Sequence, residues 1–377
     1  MKLFEYQAKE VFASQGLSIP QGSIATDSSG AEQAAMAIGF PCVLKAQVLR
    51  GGRGKAGLIK VAHTPLEAAK AASDLFTSPH GVRKILVEKA VDIARELYLS
   101  ITVDPFSARA LILACSDGGI EIETLARTAP EKIVRENVDL DTRLLPFTAR
   151  NCAYSLGLEG DLAKKFAQVV ESLYKVFRAL DAELVEINPL FVTKSGGLVA
   201  GDGKLSIDDN SMSRHPEWEP GRDYFGSEVE FEAYKEGIPY LQFDGDISLM
   251  CAGAGLTTTV YDLIADSGGT VANYLEFGGP NYRKGLKAME LCVKNNPKVI
   301  LIVTFGTIAR ADIMAEGIVG AISTLKPSCP IVVCIRGTGE DAAAATLRAA
   351  GLDPLTDTEM AVKRAVELAR GETGGHA

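Results

Sequence analysis

Lys45 closes the apolar run Val43–Leu44, and the stretch QVLRGGRGKAG at 47–57 follows with four glycines, two arginines and a lysine. Two readings fit. One is a basic, mobile surface turn. The other is a phosphate cradle, in which the amides of Gly51, Gly52 and Gly54 approach a phosphate because no Cβ stands in the way, and Lys45 meets it as a point charge. The spacing GxxxxGK[ST] is absent, so this is not a Walker A loop. Glu88 and Glu96, in LVEKAVDIARELYL, are carboxylates near strand ends, able to accept from ribose hydroxyls or simply exposed.

In ELVEINPL, Glu186 and Asn188 lie two residues apart, hence on one face of a strand, with Pro189 limiting further pairing. Asp202, in GDGK, stands across a hairpin closed by Lys-Ser-Gly-Gly. A carboxylate and an amide oxygen from adjacent strands are hard-oxygen ligands suited to Mg²⁺, which completes its shell with phosphates and water. A polar hairpin with solvated ends is the other reading.

The elements that would position these residues fall into two textures. From residue 1 to about 210, strands and helices alternate irregularly. PCVLKAQVL, KILVEKAV, ELYLSITVD and ALILACSD read as strands, and Asp161 is expected to cap a helix with Phe166, Val169, Leu173, Val176 and Leu180 on one face. Residues 211–239, with Pro216, Pro220, Gly221 and Pro239 among many charges, read as an irregular connection. Four segments then run strand, glycine turn, amphipathic helix, which predicts a doubly wound parallel sheet with its glycine turns at the carboxyl edge.

The whole-chain numbers agree. The length of 377 residues exceeds one ordinary core, and a net charge of −9 argues against nucleic acid as a partner. Seven scattered cysteines with no CxxC pair form neither a disulfide framework nor a zinc site, which fits the cytoplasm. No apolar stretch is long enough to span a membrane.

Taken together, LFEYQAKEVFASQGLSIP, GGRGKAG, ILVEKAVDIARELYL, EIETLA, LVEINPL, DGKLSIDDN, GAGLTTTVYDLI and ARADIMAEGIVGAI resemble, in order and spacing, the β subunit of succinyl-CoA synthetase. The resemblance covers nearly the whole chain and extends to malate–CoA ligase and the ATP-grasp part of ATP-citrate lyase. It implies an α/β chain: an N-terminal ATP-grasp domain at 1–225, a linker at 226–240, and a flavodoxin-like CoA-ligase domain at 241–377 that contacts an α subunit.

The resemblance also implies an ADP-forming acid–CoA ligase. ATP, or GTP as the alternative, would be held by Lys45, Gly52, Arg53, Gly54, Glu88 and Glu96, and Mg²⁺ by Asn188 and Asp202. Glu186 matches a glutamate that supports the phosphorylated histidine of the α subunit, which also holds CoA. This chain's own histidines, His63, His80, His215 and His376, lie in no glycine-rich context and read as surface or loop residues.

Ala252, Gly306, Thr307 and Ile308 match the family's acid-binding loops. The departures gather there: CAGAGL replaces VNGAGL at Ala252, FGTI replaces FGGI at Thr307, GGPN replaces GGGA at 278–281, and Cys334 stands where an arginine is expected, with Arg336 two positions on. Either succinate is retained through drift, or the acid is another, such as malate, citrate or a sulfo-carboxylate that Arg336 could grip. A carboxylate–amine ligase is a further ATP-grasp chemistry, disfavoured by the C-terminal half.

Overall fold

The computed structural model describes residues 1–371; His376 lies outside them. The chain divides into two compact units, residues 1–220 and a second beginning at Gly221. The first unit carries two antiparallel sheets.

After α1 (Glu5–Ser14) come β1 (Gly22–Ala25), α2 (Ser28–Ile38), β2 (Cys42–Ala46), β3 (Ile59–Ala62), α3 (Pro65–Phe76) and β4 (Ile85–Lys89). Their strands pair in the order β1-β4-β2-β3. Leu44, Ile85 and Val87 meet Ala31, Ala35, Ala68, Ala72 and Leu75 of α2 and α3 in a core of small side chains. Thr64 caps α3, accepting from Glu67 N at 3.2 Å, and Pro65 fits its first turn, where no amide partner is needed.

The second sheet is built from β5 (Ile93–Asp104), β6 (Arg109–Cys115), β7 (Val134–Asp139), β8 (Ala182–Thr193), β9 (Leu198–Ala200) and β10 (Lys204–Ile207), with α4 (Ile122–Thr128), α5 (Pro146–Ser155) and α6 (Gly160–Ala179) between them. The order is β10-β8-β5-β6-β7, and β9 also pairs with β8. Along β8, Val185 and Ile187 point into the core with Phe166, Val170, Leu173 and Phe177 of α6, leaving Glu186 and Asn188 on the opposite face. The cap of α6 is Glu159; Asp161 sits in the first turn, where it pairs with Lys165 at 2.8 Å and favours the helix through its dipole.

The second unit has α7 (Glu228–Lys235), β11 (Tyr240–Gln242), β12 (Ile247–Ala252), α8 (Ala254–Asp266), β13 (Val271–Leu275), α9 (Gly285–Val293), β14 (Val299–Gly306), α10 (Ala311–Leu325), β15 (Ile331–Gly337), α11 (Glu340–Ala349) and α12 (Thr358–Ala369). The stretch 226–240, expected as a linker, contains α7, whose Ser227 and Glu230 form a capping box.

Strand order is β11-β13-β12-β14-β15, parallel except for β11 at the edge, which sequence reading missed. Along β14, Val299, Leu301 and Val303 face α8 and α12, while Ile300 and Ile302 face α9, α10 and α11, so both faces are covered. The order reverses between β12 and β14, and open sheets of this kind bind ligands at such a reversal, outside the carboxyl ends of the strands.

Candidate functional site

Four of the expected nucleotide and metal residues meet in one charged network with two that sequence reading did not name. Lys45 Nζ lies 2.9 Å from Glu5 Oε1, 2.9 Å from Glu88 Oε2, and 2.5 Å from the carbonyl of Gly201. Lys9 Nζ reaches the same three groups, at 2.9 Å from Glu5 Oε1, 2.6 Å from Glu88 Oε1 and 2.9 Å from Gly201 O. Arg53 extends back from the glycine loop, placing Nη1 2.7 Å from Glu5 Oε2 and Nη2 2.7 and 2.8 Å from the two oxygens of Asp202.

Lys9, Lys45 and Arg53 therefore face Glu5, Glu88 and Asp202, three charges against three, and all but Asp202 are buried. Burial alone would push the Glu5 carboxyl up, but Lys45, Lys9 and Arg53 outweigh it and hold the carboxyl well below its usual range. For Lys45 and Arg53 burial opposes the charge, and the facing carboxylates more than restore it.

The turn at 201–203 joins this network to β8. Glu186 pairs with Lys204 and Leu190 with Ala200 in one register, which places Asp202 opposite Asn188. Asn188 Oδ1 accepts from Gly119 N at 2.8 Å, and its amide donates to Ile120 O at 3.0 Å. Glu96 approaches the same loop: a Cβ on Gly119 would stand 2.7 Å from Glu96 Oε2. Asn188 and Glu96 thus share the 118–120 loop, while Lys45, Arg53, Glu88 and Asp202 share the ion network.

Glu186 accepts from the Tyr98 hydroxyl at 2.9 Å and stands opposite Ser100. Burial raises its carboxyl above the ordinary value, against the pull of the Lys204 charge and the Tyr98 hydrogen bond.

The donor set at Asn188 and Asp202 is two hard oxygens, which suits Mg²⁺ and no softer metal. No group of three or more His, Cys, Asp or Glu side chains converges to hold a metal among the described residues. In the loop, Gly51, Gly52 and Gly54 are exposed, and a Cβ on any of them would meet nothing within 4 Å; of these three Gly52, at φ +71°, needs glycine for its backbone, as does Gly57 at φ +69°.

In the second unit, Ala252 ends β12 in register with Thr304 of β14, which stands two residues before Gly306, so Ala252, Gly306, Thr307 and Ile308 all lie at the carboxyl edge where strand order reverses. Thr307 and Ile308 are exposed. Gly337, at φ +109°, packs on this edge so closely that a Cβ there would fall 1.9 Å from Gly306 O.

Arg336 differs from expectation. Its Nε donates to Glu340 Oε2 at 2.9 Å and its Nη1 to Thr356 O at 2.9 Å, so its fork is engaged by its own unit. A second arginine, the exposed Arg310, follows the Gly306–Ile308 turn by two residues in sequence and is paired with Asp312 at 2.6 Å. Of the histidines, His63 is exposed, whereas His215 is buried, its Nε2 2.8 Å from Asp181 Oδ2. All seven cysteines are free, and among the described residues no helix is long and apolar enough to cross a membrane.

The ATP-grasp domain family matches residues 2–192, and the CoA-ligase family matches residues 250–368. A subunit of an ADP-forming sulfoacetate–CoA ligase from Bilophila wadsworthia is 60% identical over 371 residues, spanning 98% of this chain and 100% of that one. A second such subunit, from an Acholeplasma species, is 55% identical over 99% of this chain and 92% of the relative. The β subunit of an ADP-forming succinate–CoA ligase from Rubrobacter xylanophilus is 41% identical over all of both chains. Among solved structures, ATP citrate lyase from Methanothrix soehngenii in complex with citrate and coenzyme A shares the fold at TM-score 0.74 and 21% identity, over 98% of this chain and 99% of that one.

Proposed function

Because this chain belongs to the family of β subunits of ADP-forming acid–CoA ligases of the succinyl-CoA synthetase type, we propose that it is the nucleotide-binding subunit of a sulfoacetate–CoA ligase. Its partner is an α subunit that holds CoA and carries the phosphorylated histidine. The observation that carries this reading is the step in identity, 60% and 55% to sulfoacetate–CoA ligase subunits against 41% to a succinate–CoA ligase β subunit, over nearly the full chain each time.

The chemistry runs in three transfers. The γ-phosphoryl group of ATP passes to the α-subunit histidine, with ADP leaving. The substrate carboxylate takes the phosphoryl group to form an acyl phosphate, and the CoA thiol displaces phosphate to give the thioester. Lys45 and Arg53 are the candidates for holding phosphate oxygens once they leave Glu5, with the amides of Gly52 and Gly54, around which no neighbouring atom crowds a Cβ position, as further donors. Asn188 and Asp202 would hold Mg²⁺, which supplies positive charge to the phosphates when bound. Glu96 is the candidate for the nucleoside end and Glu186 for orienting the incoming histidine; Glu88, expected to take part in nucleotide binding, is buried with its two oxygens on Lys9 and Lys45 and so acts through those lysines.

On the acid side, a sulfonate head has three oxygens where a carboxylate has two. Ala252 is a short side chain at the end of β12 and leaves room for the larger head; the hydroxyl of Thr307 adds a donor on the adjoining turn. The test is side-by-side kinetics on the chain co-expressed with its α partner, following ATP- and CoA-dependent phosphate release. Sulfoacetate is expected to exceed succinate in kcat/KM by at least about tenfold, the scale of one gained polar contact. Succinate as the best acid would overturn the assignment and leave an ordinary succinate–CoA ligase β subunit. Ala252→Asn should move selectivity toward succinate.

A further inference from the structure

Lys9 and Lys45 share one set of partners, yet they are not equivalent. Each ammonium has three N–H donors, and each spends them on Glu5, Glu88 and the carbonyl of Gly201. Lys9 sits on α1, on the face it shares with Ala8 and Phe12, and its side chain is only 2% exposed. Its stem also packs beneath the 201–203 turn, since a Cβ on Gly203 would lie 3.5 Å from Lys9 Cγ and 2.8 Å from the Phe12 ring. Lys45 is at the end of β2, the strand that leads into the glycine loop, and keeps 10% of its side chain exposed. One lysine is fixed under the turn; the other stands at its mouth.

We propose that Lys9 is the permanent counter-ion of the buried carboxylates Glu5 and Glu88, a positioning residue whose charge allows Lys45 and Arg53 to turn from those carboxylates to the phosphates of a nucleotide. This rests on the reading of Lys45 and Arg53 as phosphate contacts. The reason is electrostatic. Glu5 is held by Lys9, Lys45 and Arg53, and Glu88 by Lys9 and Lys45. If Lys45 and Arg53 were the only cations, moving them onto phosphate would leave two carboxylates charged, buried and unpaired, which is strongly unfavourable. Lys9 touches both carboxylates, so each keeps a partner through the exchange. Lys9 itself has no donor left for a ligand.

The test uses the full chain and Mg-ATP, with affinity read by calorimetry and fold by circular dichroism. Lys9→Met is expected to weaken Mg-ATP binding by at least about tenfold, because nucleotide must now strip the last cation from Glu5 and Glu88. Adding Glu5→Gln to Lys9→Met removes one of the two orphaned charges, leaving only Glu88 without Lys9, and should recover at least about threefold of the lost affinity although Lys9 is still missing. In the αβ complex Lys9→Met should raise KM for ATP and leave KM for CoA unchanged.

Wild-type affinity in a folded Lys9→Met chain overturns the proposal, and so does failure of Glu5→Gln to rescue it, since a purely structural role would not respond to restored charge balance. If Lys9→Met does not fold, the comparison of Glu5→Gln with the double variant decides: the double variant should bind Mg-ATP more weakly than Glu5→Gln alone, because Glu88 has lost Lys9, and equal affinity sinks the counter-ion role. A wild-type chain that binds no Mg-ATP, or a Lys45→Ala chain that binds it unchanged, would instead overturn the assignment of the site itself.

Discussion

Arg53 holds Asp202 through both carboxylate oxygens, at 2.7 and 2.8 Å, across 149 positions of sequence. A fork-to-fork pair of this kind fixes direction as well as distance. It ties the glycine loop to the turn that carries one of the two candidate Mg²⁺ ligands, so the loop's position and the carboxylate's availability are one variable.

Asp202→Ala should therefore have two effects at once. The αβ complex is expected to need more Mg²⁺ for half-maximal activity, by at least roughly tenfold, the scale seen when the surroundings of a metal are disturbed. The loop, released from its anchor, should be cut sooner by trypsin at Arg50, Arg53 or Lys55. A titration of activity against Mg²⁺ that overlays wild type would remove Asp202 from the metal site.

Tyr98→Phe probes Glu186. The Tyr98 hydroxyl donates to the Glu186 carboxylate at 2.9 Å and so favours its charged form, against the burial that raises its pKa. Without that donor the carboxyl rises further. The acid limb of the kcat/KM profile for the forward reaction should move to higher pH, with the alkaline limb unmoved. Coincident profiles would mean that the ionisation of Glu186 plays no part in the reaction.

Acid sensitivity should trace to Glu5. Its carboxyl is depressed in the folded chain, since burial is outweighed by Lys45, Lys9 and Arg53, whereas in the unfolded chain it titrates near about 4.3. The folded state binds fewer protons, so this contribution is complete above that pH and is lost as pH falls below it. Urea midpoints measured from about pH 6 down to about pH 3 should fall steeply for wild type and less steeply for Glu5→Gln, which starts lower. Equal slopes would locate the acid-labile group elsewhere.

Gly201→Ala tests the turn that both lysines grip. A Cβ there would lie 2.3 Å from the Phe191 ring, so the ring or the turn must move. The expected loss of stability is about 1–3 kcal/mol, the usual result of overpacking. Phe191→Leu in the same chain should recover part of it. No recovery in thermal melts of the double variant would show that the strain lies in the backbone and not against the ring.

Much of this arrangement is legible in the sequence because it rests on local chemistry. The four strand–glycine–helix segments specify the parallel sheet, and the two-residue spacing of Glu186 and Asn188 puts them on one face of β8. Pairing across long separations is less legible. Nothing near Arg53 announces that its partner is Asp202, and nothing near Arg336 announces that Glu340 and Thr356 engage it.

Glu5 and Lys9 were missed for a different reason. The buried face of α1 is Glu5, Ala8, Lys9 and Phe12, a stripe at helical spacing in which half the positions are charged. A search for apolar periodicity passes over it. An opposite-charge pair four apart, in line with Ala8 and Phe12, is the signal that would have marked those charges as internal.

The order of synthesis gives the Glu5–Lys9 pair a second consequence. Helix α1 leaves the ribosome well before the turn at Gly201, whose carbonyl Lys9 finally meets. At about 5–20 residues per second that interval is roughly 10–40 s. A ten-residue segment is marginal as a helix on its own, so the pair, 2.9 Å apart in the finished helix, is secured only when the distant turn arrives to enclose it, and the start of the chain is among the last parts of its unit to be fixed.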